Sequence, residues 1–190
     1  GIDWDWLREQ NADVVAWLTV EGTSIDMPVM APSEEHPGDW YLSHGLEGGW
    51  SYVGCAYVDD RTTADSAHAL VYGHHITGSH LAFTEIYDAH EQEAFDGIGA
   101  MRWHTPARGE TVLAPCMAMV VDQDDAGIQR FAFHGDAGLR SWLATLSDRA
   151  SARAPDCAAR CAMATRVVTL VTCASDEGGQ RERTLLIFVA

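Results

Sequence analysis

Apolar and polar residues alternate along most of this chain in short bursts, separated by clusters of Gly, Pro, Asn and Asp. The opening is different: Trp4, Leu7, Val14, Val15 and Trp17 recur among charged residues at a spacing suited to one or two short amphipathic helical turns, with Asn11 placed to cap the second. From Trp17 the period shortens to two. Residues 17–20 and 25–30 read as strands joined by the tight turn Glu21-Gly22-Thr23-Ser24. Further strands are predicted at residues 53–58, 69–72, 98–103, 111–121, 129–133, 166–172 and 184–189. Two stretches carry helical spacing instead. One is residues 80–95, through Leu81, Phe83, Ile86 and Tyr87; the other is residues 136–150, where Leu139, Trp142, Leu143 and Leu146 fall at i, i+3, i+4 and i+7 behind Asp136 as the expected N-cap. Residues 151–165, rich in Ala and Arg, read as an irregular or partly helical connection.

About eight short strands with few helices favour an all-β barrel or sandwich over a βαβ sheet. The 190 residues suffice for one well-buried core and are short for two. The expected organisation is a single domain over residues 1–190, with helical turns in 1–16 and β structure from 17 to 190. Hydrophobic residues make up 47% of the chain, which suits a compact fold. The formal charge is −16, and all twelve basic residues are Arg. A surface of that sign repels phosphate backbones and anionic headgroups, which argues against nucleic acid and membrane-surface partners and leaves neutral or basic peptides as better ones. No apolar run approaches the ~20 residues needed to span a bilayer.

Candidate chemistry sits at strand ends. The apolar run from Arg166 delivers Thr172 and then Cys173, after which residues 174–180 are small, acidic and Gly-rich, a loop that would leave the thiol at a rim. The strand that follows begins Arg181-Glu182-Arg183, and alternation puts the two arginines on one face, where a guanidinium can stabilise a thiolate or an oxyanion. A third strand ends Leu70-Val-Tyr72-Gly-His74-His75, and an imidazole beside a thiol is a recurrent nucleophilic pair. Taken singly, each has an ordinary structural reading as a strand-end Cys, a solvated edge Arg or a surface His.

Together, Tyr72-Gly-His74, Thr169-Leu-Val-Thr-Cys173 and the arginine ten positions after the Cys resemble the signature of sortases. Residues 11–18, the stretch from Gly22 to Val29, Trp40-Tyr-Leu-Ser-His44, Gly54 to Arg61 and Phe83 to Tyr87 follow the family's order, so the resemblance runs from about Asn11 to Val189. The N-terminal turns and the helix before the Cys strand look most like class B. Val171 stands where that class often has Ser, and Arg181 competes with Arg183 for the arginine's role.

The resemblance implies a mainly β fold: an eight-stranded sortase-type β-barrel with short N-terminal helices and a helix before the Cys-bearing strand. It implies a transpeptidase with Cys173 as nucleophile, His74 as acid and base, and Arg183 orienting substrate and stabilising the oxyanion. Tyr72, His75 and Thr172 are candidates for the substrate-binding wall, each equally plausible as strand-end packing. The implied partners are the C-terminal sorting motif of a secreted protein and an amine of a cell-wall precursor or pilin. The implied place is the outer face of the membrane of a Gram-positive-type bacterium, through an N-terminal anchor outside this chain. Rival readings are a cysteine peptidase of another fold, and a non-catalytic barrel that binds peptides or glycans.

No metal or organic cofactor is needed for that chemistry, and no metal ligands are assigned. The five cysteines are an odd number, so at least one thiol is unpaired in any intramolecular disulfide scheme. Cys55 and Cys116 lie in apolar, strand-like surroundings. Cys157 and Cys161, at i and i+4, share a face if their segment is helical. The plain expectation is a pair of buried or unpaired thiols, with a disulfide or a metal left open. Two thiols fall short of a structural zinc site unless a His or a further Cys converges on them.

Overall fold

The computed structural model describes residues 1–175 and 179–190; residues 176–178 of the loop expected after Cys173 lie outside the described residues. Nine strands form one sheet: β1 (Val14–Val20), β2 (Asp26–Met30), β3 (Ala56–Val58), β4 (His68–Tyr72), β5 (Met101–Thr105), β6 (Gly109–Asp122), β7 (Ala152–Arg153), β8 (Val167–Cys173) and β9 (Glu182–Val189). Their order is β5-β1-β2-β3-β4-β8-β9-β6-β7. Because β5 also pairs with β6, eight of them close into a barrel. Strand β7 is a two-residue appendage on Met117 and Ala118 of β6. The eight-stranded barrel expected from the resemblance is the fold observed.

Central strands β4, β8 and β9 read as near-continuous buried runs, as strands covered on both faces do. One cover is helix α3 (Gly135–Arg149), whose stripe of Leu139, Trp142, Leu143 and Leu146 joins the barrel's buried cluster. Burying each of its leucines stabilises the docking by roughly 1.5–3 kcal/mol. A second buried cluster gathers Leu7 of helix α1 (Trp4–Gln10), Val14, Met30, Tyr41 and Tyr57. It sits under the short 3-10 turn Trp40–Leu42 and reaches Tyr72, so the N-terminal helix supports one wall of the site described below.

Several expectations need correction. Of the one or two helical turns expected at the N-terminus one helix forms, and Asn11 is its C-cap rather than the cap of a second. Residues 14–16, assigned to helical turns, already belong to β1, whose alternating burial hides Val14, Ala16, Leu18 and Val20. Barrel pairing with β2 overrides the weak helical spacing there.

Residues 129–133 are not a strand. Their neighbour β6 is already paired with β9, and side chains meet the segment instead: Arg61 donates to the Gln129 side chain (2.8 Å), and the buried His68 ring reaches the Arg130 carbonyl (2.8 Å). Helix α3 starts at Gly135 behind His134, so Asp136 is not its cap. It lies within the first turn, where its carboxylate suits the helix's positive end and pairs with Arg140 at 3.5 Å. Residues 151–165 supply β7 and helix α4 (Cys157–Met163). Residues 80–95 form a 3-10 turn at Thr84–Ile86 and the short helix α2 (Gln92–Asp96). Among the described residues no helix is long and apolar enough to cross a membrane.

Candidate active site

Parallel pairing of β4 with β8 matches Tyr72 to Val171, so both strands leave the sheet at the same rim. His74 follows one and Cys173 ends the other. Strand β9 enters antiparallel at this rim, with Arg183 the ladder partner of Cys173. Directly opposed residues of an antiparallel pair put their side chains on one face, with Cα atoms about 4.5–5.5 Å apart. Two consecutive strands and a segment about a hundred residues earlier thus deliver a thiol, a guanidinium and an imidazole to one place.

The backbone around His74 is held on both sides. Gly73 N–H donates to the Val171 carbonyl (3.1 Å), the Thr172 hydroxyl donates to the Gly73 carbonyl (2.9 Å), and Phe83 N–H donates to the His74 carbonyl (2.8 Å). The Phe83 ring is fully buried against Gly73; a Cβ at that position would lie 2.4 Å from it. Glycine is therefore required for the loop after His74 to fold back under the rim.

The two arginines differ. Arg183 is half-buried and donates to the Gln123 side chain (3.0 Å) and to the carbonyls of Gln180 (2.7 Å) and Glu182 (3.0 Å). Arg181 is exposed, and its guanidinium is taken up by Asp122 (2.8 Å) and Asp124 (2.6 Å).

Two cavities meet at these residues. The first, about 280 Å³, lies between His74, Cys173 and Arg183 on one side and Tyr57, Tyr72, Asp39 and Leu42 on the other. The second, about 510 Å³, extends from the same His74, Cys173 and Arg183 over His75 and Thr77 towards Arg181. The three residues, with Gln123, form the wall common to both.

An anchored polar network stiffens the first cavity. Asp59 is buried, accepts two side-chain hydrogen bonds from Arg61 (2.8 and 2.7 Å), and accepts a third from the Tyr72 hydroxyl (2.8 Å). Burial works to raise its pKa, but the bonds from Arg61 and Tyr72 outweigh this and hold the carboxyl below its usual range. Burial and the neighbouring carboxylate push the Tyr72 phenol up; burial does the same to Tyr57, whose ring stacks on Tyr72 at 5.3 Å. Both phenols stay neutral and offer aromatic surface.

Of the residues expected in the substrate wall, Tyr72 lines the first cavity with its ring while its hydroxyl is committed to Asp59. Thr172 lies beside it, buried, its hydroxyl committed to Gly73. His75 lines the second cavity and stacks on Tyr87 at 4.3 Å. The sequence reading missed Asp39, Leu42, Tyr57 and Gln123. Tyr57 lay within a segment already noted for its order, whereas Gln123 follows β6 and reaches Arg183 only because β6 and β9 are neighbours.

No protein-family model matches the chain. Sortase B of Listeria monocytogenes is 31% identical over 72 residues, which is 37% of this chain and 28% of that protein, so the match spans little more than a quarter of the relative's length. A C. perfringens sortase B, in its C232S mutant form, superposes with a TM-score of 0.80 at 19% identity, over 97% of this chain and 84% of the other. The Staphylococcus aureus sortase B–substrate complex superposes with a TM-score of 0.78 at 21% identity, over 98% and 83%. In sequence and in fold the chain is similar to sortases, most of all to those of class B, and its eight-stranded barrel has the same fold as theirs.

Proposed function

We propose that the chain is a sortase-type cysteine transpeptidase, with Cys173, His74 and Arg183 as its catalytic residues. The observation that carries this reading is the common wall: a thiol, an imidazole and a guanidinium from three strands stand between two cavities, as a reaction that exchanges one amine for another requires.

The thiolate of Cys173 attacks a backbone carbonyl carbon, and the electron pair moves to the carbonyl oxygen, beside the Arg183 guanidinium. Collapse breaks the C–N bond, and the His74 imidazolium gives its proton to the departing amine. A thioester on Cys173 remains. His74, now neutral, takes a proton from the incoming amine as that nitrogen attacks the thioester, and the thiolate leaves. Water in place of the amine gives hydrolysis from the same intermediate. Neither step calls for a metal or an organic cofactor.

In this reading the first cavity holds the acyl part of a sorting motif against Tyr57 and Tyr72, and the second passes the leaving segment and the acceptor over His75. The substrate is the C-terminal sorting motif of a secreted protein, and the acceptor is an amine of a cell-wall precursor or pilin. The enzyme acts at the cell surface of a Gram-positive-type bacterium, held by an N-terminal anchor beyond this chain. The charge of −16 suits neutral or basic peptides.

A screen of pentapeptide sorting motifs with mass-spectrometric detection tests the reading. The expected result is an acyl adduct on Cys173 that triglycine converts to a ligated peptide. Alkylation of Cys173 that leaves every measured activity intact would instead favour a non-catalytic peptide-binding barrel.

A further inference from the structure

Among the described residues, the one group of three or more potential metal ligands whose atoms converge lies away from the rim: Cys116, Cys157 and Cys161. The three sulfurs stand 3.3, 3.5 and 4.0 Å from one another, and all three residues are buried. Cys116 is on β6, while the other two are one turn apart on α4. Along β6 the cluster is five residues from Val121, the ladder partner of Arg183, or roughly 17 Å at strand spacing.

We propose that these three thiolates bind a thiophilic divalent cation, zinc the best fit, as a structural site outside the catalytic machinery. Zinc–sulfur bonds of about 2.3 Å place ligand sulfurs about 3.8 Å apart in a tetrahedral set, a value inside the observed spread. A disulfide would join two of the thiols and leave the third beside it; a cation uses all three. Binding takes the cation from solvent and releases three thiol protons to it, with no change of oxidation state.

The local backbone is shaped around the cluster. Cys116 is the unpaired residue of a β-bulge, since Pro115 and Met117 oppose the consecutive residues Phe188 and Ile187. Bulges re-aim a side chain that regular pairing would send elsewhere. Ala154 N–H donates to the Cys116 carbonyl (2.9 Å), which sets the start of α4 beside the bulge. Arg160, between the two helix cysteines, donates to the Pro115 carbonyl (2.5 Å) and pairs with Asp156 (2.7 Å), tying the helix to the strand next to Cys116.

A fourth position has candidates. The Ser147 hydroxyl of α3 is 3.7 Å from the Cys157 sulfur. A surface cavity of about 530 Å³ between α3 and α4, lined by Ser147, Asp148 and Cys161, supplies a path for the ion and room for a water ligand. The site would clamp β6, α3 and α4 together.

The experiment is metal analysis of the full chain, purified under reductant, incubated with zinc and desalted. One equivalent of zinc is expected in the wild type and in Cys173→Ala, and its loss in Cys116→Ser and in Cys161→Ala. Cobalt(II) in place of zinc is expected to give a thiolate-to-metal charge-transfer band on the wild type, a readout that stands even if a cysteine variant fails to fold. Absence of both zinc and the cobalt band in the folded, reduced wild type overturns the proposal. So does zinc retained by Cys116→Ser, or a Cys116 disulfide whose reduction yields no metal uptake.

Discussion

The two ends of the barrel carry the same residue types and put them to opposite uses. At the open rim, β4 and β8 deliver His74 and Cys173 to cavities where both can meet a substrate. At the far end, β4 begins with His68, six residues before His74, and β6 carries Cys116. His68 is fully buried, its Nδ1 against the Arg130 carbonyl (2.8 Å) and its Nε2 against the Thr169 hydroxyl (2.9 Å). A carbonyl only accepts, so Nδ1 bears a proton; burial disfavours the charged ring, and in the neutral ring Nε2 accepts from the Thr169 hydroxyl. Reactivity here follows from position along a strand: the rim leaves a side chain a cavity and a charged partner, whereas the closed end surrounds it with fixed bonds.

The largest effect that tests this contrast is at the nucleophile. Cys173→Ala is expected to lower transpeptidation by roughly 10⁴-fold or more with an unchanged melting temperature; measurable turnover near the wild-type rate would remove the rim from the chemistry. Arg183→Ala is expected to lower kcat by about 10²–10³-fold, the range for loss of an oxyanion donor. Arg181→Ala should stay within about twofold, because its guanidinium is already engaged by Asp122 and Asp124. The reverse ranking in steady-state kinetics would exchange the two assignments.

At the closed end the expected signature is stability without activity. With zinc present at 100 times its dissociation constant, the metal stabilises the fold by about 2.7 kcal/mol. Cys116→Ser or thorough chelation should therefore lower the melting temperature by several degrees while leaving kcat at low temperature within about twofold. A kcat that falls with the metal would couple the two ends.

The last predicted effect is a pH dependence of stability. Burial pushes His68 down to about 4, with the Arg130 carbonyl and the Asp59 charge opposing it only in part. The unfolded chain, with this group near 6.5, then binds more protons than the folded one between those values. His68 thus contributes stability that is fully present above pH 6.5 and is lost as pH falls towards 4, at no more than about 1.4 kcal/mol per pH unit. The carboxyls of Asp13 and Asp59, held low by their hydrogen bonds, act in a lower window, below their ordinary 3.8. Thermal melts from pH 7 to 4 should show a slope that His68→Gln flattens; an equal slope in the variant would place the titrating group elsewhere.

Much of the barrel was legible because its strands are short apolar runs between turn residues. The strand ends at Tyr72, Cys173 and Arg183 were legible for the same reason. Residues 129–133 show where this fails: Phe131 and Phe133 alternate like a strand, yet the segment joins no ladder and is held by side chains instead. Residues 14–16 fail in the other direction, since local helical spacing yields to pairing with β2.

What the sequence determined by itself is which residues can do chemistry and where strands end, because both depend on residue type and on a period of two that is written locally. What only the tertiary structure decided is proximity. Gln123 meets Arg183, Arg181 turns to Asp122 and Asp124, and Cys116 closes on Cys157 and Cys161 across 41 and 45 residues. Such meetings depend on barrel order, register and one β-bulge, which are set by the packing of the whole sheet and leave no trace in the spacing of any single segment.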